Sequence, residues 1–220
     1  MSIQQNLHQI KSQLPPHVTL VAVSKTKPVA DLMEAYNAGQ RIFGENYVQE
    51  LVEKHQELPK DIQWHFIGHL QSRKVKLIAP FVNLIHGVDS FKLLQEINKQ
   101  AEKNNRVIDC LLQIFIADEE TKFGLDVKEL EEILSSDEFQ KLKNIKIVGL
   151  MGMATFTDNK TQIEKEFNHL KSIFNKTNES SMKNDQLSIL SMGMSGDYQL
   201  AISCGSTMIR IGSSIFGVRK

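Results

Sequence analysis

One lysine offers chemistry before any other residue does. Lys25 stands just past Val18-Thr19-Leu20-Val21-Ala22-Val23, a mostly apolar, β-preferring run, and Lys27-Pro28 then stops that run and opens a helix. A parallel strand covered by helices on both faces reads as such a near-continuous apolar run. Lys25 is therefore expected at a strand's C-terminal end, where barrels of alternating strands and helices collect their functional loops. A partly desolvated amine there can lose its proton and attack a carbonyl carbon as a Schiff-base former. A single loop lysine is far more often a solvated surface charge, so the reading needs partners.

Two Gly/Ser loops near the C-terminus supply them: Ser191-Met192-Gly193-Met194-Ser195-Gly196 and Gly212-Ser213-Ser214. Glycines let backbone N–H groups converge on an anion, and serine hydroxyls add donors. In (β/α)8 barrels a phosphate site is frequently built from the loops after strands seven and eight. Either loop alone is better read as an ordinary tight turn; together on neighbouring strands they favour a bound phosphate. Arg210 interrupts the apolar strand Met208-Ile209-Arg210-Ile211, and a charge there needs either a structural ion-pair partner or a ligand heteroatom. A Schiff-base lysine, a phosphate cradle and a polar group between them match the needs of pyridoxal 5′-phosphate (PLP). An arginine facing the pyridine nitrogen would keep it unprotonated and weaken the ring as an electron sink.

These groups need a scaffold, and the chain supplies one by alternation. Ile3, Leu7, Ile10 and Leu14 have helical spacing before Pro15-Pro16, so a leading helix precedes the first strand. Strands are then expected at Val18–Val23, Arg41–Phe43, Gln63–Ile67, Asn83–His86, Val107–Ile116, Ile145–Met151, Leu187–Leu190 and Met208–Ile211. Helices are expected at Ala30–Ala38, Tyr47–His55, around Arg73 to Lys76, and at Phe91–Lys103, where Asp89 or Ser90 can cap. Further helices are expected at Asp126–Ser135, Ile163–Phe174 and Asp197–Ile202, with Lys176–Gln186 as a surface loop. Eight strands alternating with helices predict an α/β fold, a single closed (β/α)8 TIM barrel over residues 1–220 with an extra N-terminal helix.

Composition limits the function. The 220 residues carry 26 Lys+Arg and 26 Asp+Glu, so the basic excess typical of nucleic-acid binders is missing and a small-molecule site is favoured. Cys110 and Cys204 have neither CxxC nor metal-ligand spacing and read as buried free thiols. With neither a signal-peptide core nor a bilayer-length apolar run, a cytoplasmic protein without membrane contact is expected, and a monomer is the default.

Several longer motifs carry a resemblance. Val21-Ala22-Val23-Ser24-Lys25-Thr26-Lys27, Phe43-Gly44-Glu45-Asn46-Tyr47-Val48-Gln49-Glu50, Trp64-His65-Phe66-Ile67-Gly68 with Leu70-Gln71, Leu190 to Ser195, and Arg210 to Gly217 follow one another along nearly the whole chain. In these motifs the sequence resembles the pyridoxal phosphate homeostasis protein family, whose barrel is like the N-terminal domain of alanine racemase. The resemblance implies that Lys25 forms the internal aldimine with PLP and that Ser191, Met192, Ser195, Gly212 and Ser213 hold the phosphate. It also implies that Arg210 approaches the pyridine nitrogen and that Asn46 lies beside the ring. Arg73 departs from the asparagine usual in the family's Leu-Gln-x-Asn-Lys stretch, which touches local surface contacts rather than the cradle.

By that resemblance the chain is a carrier or regulator in PLP (vitamin B6) and amino-acid homeostasis, with PLP-dependent apo-enzymes as prospective recipients and no evident catalysis. A minimal PLP-dependent racemase-like enzyme is the alternative, and a barrel aldolase or isomerase using Lys25 on a sugar phosphate stands further off. His65 and His69 are candidate general bases, although isolated histidines are more often structural. Lys122, in the loop Glu119-Glu120-Thr121-Lys122-Phe123-Gly124, is a candidate for passing PLP onward.

Overall fold

Apolar runs become strands and the amphipathic segments between them become helices laid over the outside. The computed structural model describes residues 2–117, 123–180 and 186–217. Its strands are β1 (Thr19–Val23), β2 (Ile42–Glu45), β3 (Gln63–Phe66), β4 (Leu84–Val88), β5 (Ile108–Gln113), β6 (Ile145–Met151), β7 (Ile189–Ser191) and β8 (Met208–Ile211). They pair in chain order, all parallel, and β8 returns to β1 to close the barrel. The expected architecture is present.

The helices are α1 (Ile3–Gln13), α2 (Val29–Asn37), α3 (Val48–Glu57), α4 (Val75–Ile78), α5 (Phe91–Lys103), α6 (Val127–Ser135), α7 (Asp137–Gln140), α8 (Lys160–Ser180), α9 (Tyr198–Ser203) and α10 (Ser213–Phe216). Their starts are chemically marked. Ser2 with Gln5 and Asp126 with Glu129 form capping boxes on α1 and α6, and Ser90, rather than Asp89, caps α5 by accepting from the Leu93 N–H. The leading helix α1 packs on α2 and α10, and Asn6 Nδ2 donates to the Ile215 carbonyl at 3.0 Å.

Side chains alternate along each strand, and the alternation makes two cores. Ala22, Phe43, Trp64, Phe66, Ile85, Ile209 and Ile211 face the helices in the larger one. Val21, Leu84, Leu111, Val148, Met151 and Met208 form the smaller one, inside the barrel. Two residues beyond Leu84, Ile189 and Met208 come His86, Ser191 and Arg210, so the next inward layer, toward the C-terminal mouth, is polar.

Two expectations need correction. The segment from Lys176 does not begin a loop: α8 runs on to Ser180, because Thr177 Oγ1 bonds the Ile173 carbonyl and the Asn178 amide ties both backbone groups of Leu187. Residues 181–185 lie outside the described residues. The fifth strand ends at Gln113 rather than Ile116: Ile114 still bonds the Met151 carbonyl but bridges Leu125, and the Phe115 N–H goes to the Leu125 carbonyl instead of to β6.

Candidate functional site

The C-terminal strand ends open onto a cavity of about 500 Å³, lined among others by Lys25, Asn46, Ser195, Arg210, Gly212 and Ser213. Residues separated by up to 188 positions thus share one space. Ser24 N–H donates to the Gly44 carbonyl and Lys27 N–H to the Ser24 carbonyl, so β1 ends in a sharp turn that leaves Lys25 on the cavity wall. Asn46 follows β2 directly, and the absence of a Cβ at Gly68 lets the next loop press on it: a methyl there would stand 2.4 Å from the Asn46 carbonyl oxygen.

The two Gly/Ser loops lie side by side. Gly212 and Ser214 both direct their N–H groups at Ser195 Oγ, at 3.3 and 3.4 Å. Gly193 holds φ +97°, and a Cβ there would meet the Ala201 Cβ at 2.6 Å, so glycine is required on both conformational and steric grounds. Of the residues expected in this cradle, Ser191 and Met192 lie beneath the cavity rather than along it. Met192 is buried in the outer core, and its N–H is committed to the Met208 carbonyl at 3.1 Å.

Ser191 instead belongs to a buried polar chain. Arg210 donates to Ser191 Oγ at 2.6 Å and to the Gly152 carbonyl at 3.1 Å. Ser191 Oγ lies 3.2 Å from His86 Nδ1, and His86 Nε2 lies 3.0 Å from His65 Nδ1. A guanidinium only donates, so Ser191 Oγ accepts from Arg210 and keeps a second lone pair and its own proton for the contact with His86 Nδ1. One hydrogen lies between the two rings, joining His86 Nε2 to His65 Nδ1. Burial pulls the His65 pKa down to about 3 and drives that of His86 well below the usual range, with His65 and Arg210 adding repulsion. Burial also draws Arg210 down to about 10, opposed by Asp197, and it remains cationic at neutral pH.

His65 and His69 do not share a site. His69 sits on the rim, its Nδ1 3.0 Å from Asp89 Oδ2 and its ring stacked 4.2 Å from that of Phe123. Lys122 lies outside the described residues. Sequence reasoning misses the loop after β6, whose Met153 to Asp158 line the cavity and include Phe156, 95 % exposed. Glu166 fixes that loop by accepting from the Thr155 N–H and hydroxyl at 2.6 and 2.7 Å. Its one signal in the sequence is position, directly after a strand. Both cysteines are buried and free, as expected.

Comparison with known proteins adds lineage. The family described as alanine racemase, N-terminal domain, matches residues 1–220. The pyridoxal phosphate homeostasis protein of Pasteurella multocida (strain Pm70) is 40 % identical over 232 residues, covering 100 % of this chain and 98 % of its own. The chain belongs to the pyridoxal phosphate homeostasis protein family. Another pyridoxal phosphate homeostasis protein, that of Escherichia coli (strain K12), is 36 % identical, covering 99 % and 97 %. Among solved structures, PipY of Synechococcus elongatus PCC7942, with PLP bound, superposes with a TM-score of 0.90 at 36 % identity, covering 98 % of this chain and 100 % of that one. Alanine racemase of Clostridium difficile 630 shares the fold at TM-score 0.81 and 17 % identity, and the match takes in 60 % of its length.

Proposed function

We propose that the chain is a single PLP-binding domain that holds PLP as an internal aldimine on Lys25 and serves PLP and amino-acid homeostasis as a carrier or regulator without catalysis. The observation that carries the reading is the meeting of Lys25, Arg210 and both Gly/Ser loops around one cavity. The residues fit the group. A phosphate would take the N–H groups that otherwise make long bonds to Ser195 Oγ, and Ser195 and Ser213 add hydroxyls. Asn46 Oδ1 is buried without a hydrogen-bond partner among the described residues, a polar atom suited to a ligand's donor. Arg210, cationic and fixed by Ser191 and Gly152, would face the ring nitrogen and disfavour its protonation, while Ser191 and Met192 support the cradle from below. When bound, PLP supplies an aldehyde and an electron-withdrawing ring; the protein supplies the amine, the anion site and the orientation.

The whole chain is proposed to act as a monomer in the cytoplasm, with PLP-dependent apo-enzymes as recipients. The test is a visible absorbance spectrum of the protein with PLP, followed by borohydride reduction and peptide mapping. A band above 400 nm, a reduced adduct on Lys25 and loss of both in Lys25→Ala are expected. Colourless protein, or an adduct on another lysine, overturns the reading. A panel of amino acids in deuterated buffer should show no α-proton exchange at a catalytic rate.

A further inference from the structure

The turn that carries Lys25 is held from behind by buried charges. Lys25 and Thr26 are its two central residues, closed by the Lys27 N–H on the Ser24 carbonyl at 3.1 Å. Thr26 has φ +63°, a left-handed conformation that a β-branched residue adopts only under constraint. Its N–H donates to Glu50 Oε1 at 2.6 Å. On the other side of Lys25, Ser24 donates its hydroxyl to Glu45 Oε1 at 2.6 Å and accepts from Lys54 Nζ at its carbonyl at 2.7 Å. Lys54 Nζ also reaches Glu45 at 2.8 Å and Glu50 at 2.7 Å. Its three donors are therefore all used.

Glu45 ends β2, while Glu50 and Lys54 lie one turn apart on α3, so the second βα unit grips both neighbours of the first unit's lysine. Glu45 and Lys54 are buried, and Glu45 Oε2 has no hydrogen-bond partner among the described residues. A buried ion cluster with an orphaned oxygen is a poor way to stabilise a barrel. Its contacts converge instead on residues 24 and 26.

We propose that Glu45, Glu50 and Lys54 are positioning residues for Lys25, forcing Thr26 left-handed so that the amine is presented to the cavity in a geometry ready for an aldehyde. The proposal rests on the PLP-binding reading above and deepens it by naming what prepares the nucleophile. Imine formation joins Lys25 Nζ to the aldehyde carbon and releases the aldehyde oxygen as water.

The experiment compares full-length wild type, Glu50→Ala, Thr26→Gly and the double variant. PLP is titrated by visible absorbance, imine formation is followed by stopped flow, and melting without PLP reports folding. Glu50→Ala is expected to raise the apparent dissociation constant and slow imine formation, each about tenfold, because strain of this size empties the competent conformer. Thr26→Gly in that background is expected to restore most of the loss, since glycine takes positive φ without a Cβ penalty. Wild-type behaviour in Glu50→Ala overturns the proposal, and so does a loss that Thr26→Gly does not repair. If Glu50→Ala does not fold, Glu50→Gln with and without Thr26→Gly carries the same comparison. Absence of a Lys25 adduct in the wild type overturns the PLP reading and this proposal together, whereas a wild-type adduct indifferent to Glu50 overturns only the latter.

Discussion

Arg210 is where the sequence and the structure meet most closely. Its charge in an apolar strand demands a partner, and the partner is Ser191 Oγ, which also orders two neutral histidines. Ser191→Ala would leave Arg210 and His86 each short of a buried partner, at about 1–3 kcal/mol, and a thermal melt should show the loss without PLP present. The histidines also give stability a pH dependence. Their folded pKa values lie below the unfolded value of about 6.5, His65 near 3, so the unfolded chain binds protons first on acidification. The stabilising contribution is whole above that unfolded value and fades as pH falls toward the folded values. Between pH 7 and pH 5 His65 accounts for about 2 kcal/mol, His86 acts in the same direction, and denaturant titrations of His65→Gln/His86→Gln should show a flatter slope over that range. That Arg210 would need a partner was legible because it breaks an apolar strand, and that Lys25 and Ser195 would face the same cavity was legible from their places just past β1 and β7. The Ser191–His86–His65 chain was not, since its links span 21 to 105 residues; only the inward phase of His86 within an apolar strand could have hinted at it.

The elements were legible wherever apolar period and helix punctuation agreed. Ser90 before Phe91–Lys103 and Gly39 after α2, at φ +86°, are local signals that the fold obeys. The C-terminal turn of α8 escaped because Lys176 to Ser180 is polar, and tertiary ties from Asn178 to Leu187 hold it. The loop after β6 escaped because its anchor, Glu166, is eleven residues downstream of Thr155. At the β7–α9 junction the structure makes a sharp demand. Gly193→Ala would strain a residue at φ +97° and drive its methyl into Ala201, costing about 1–3 kcal/mol. Calorimetry should register that loss, and PLP titration should weaken in parallel if, as proposed, Ser195 on the same loop helps hold the phosphate.

As a whole the barrel is unevenly stitched. β5 and β6 share six register pairs, whereas among the described residues β7 meets β8 at Ser191 and Met208. Ser206 and Thr207 hydroxyls reinforce that seam, Ser206 Oγ bonding the Met192 carbonyl at 2.8 Å and Thr207 Oγ1 taking the Leu190 N–H at 2.8 Å. Amide exchange at Leu190, Met192 and Thr207 should therefore outpace that at Cys110 to Gln113, and saturating PLP should slow it, since a ligand favours the state that binds it. Equal rates, or rates indifferent to PLP, would contradict this picture. The loops proposed to share the phosphate hang from the two staves with the fewest register pairs between them. A vitamin lodged across both would act as the hoop of the cask, so that the emptied vessel springs there first and a protease nicking near Gly193 becomes a gauge of how full it is.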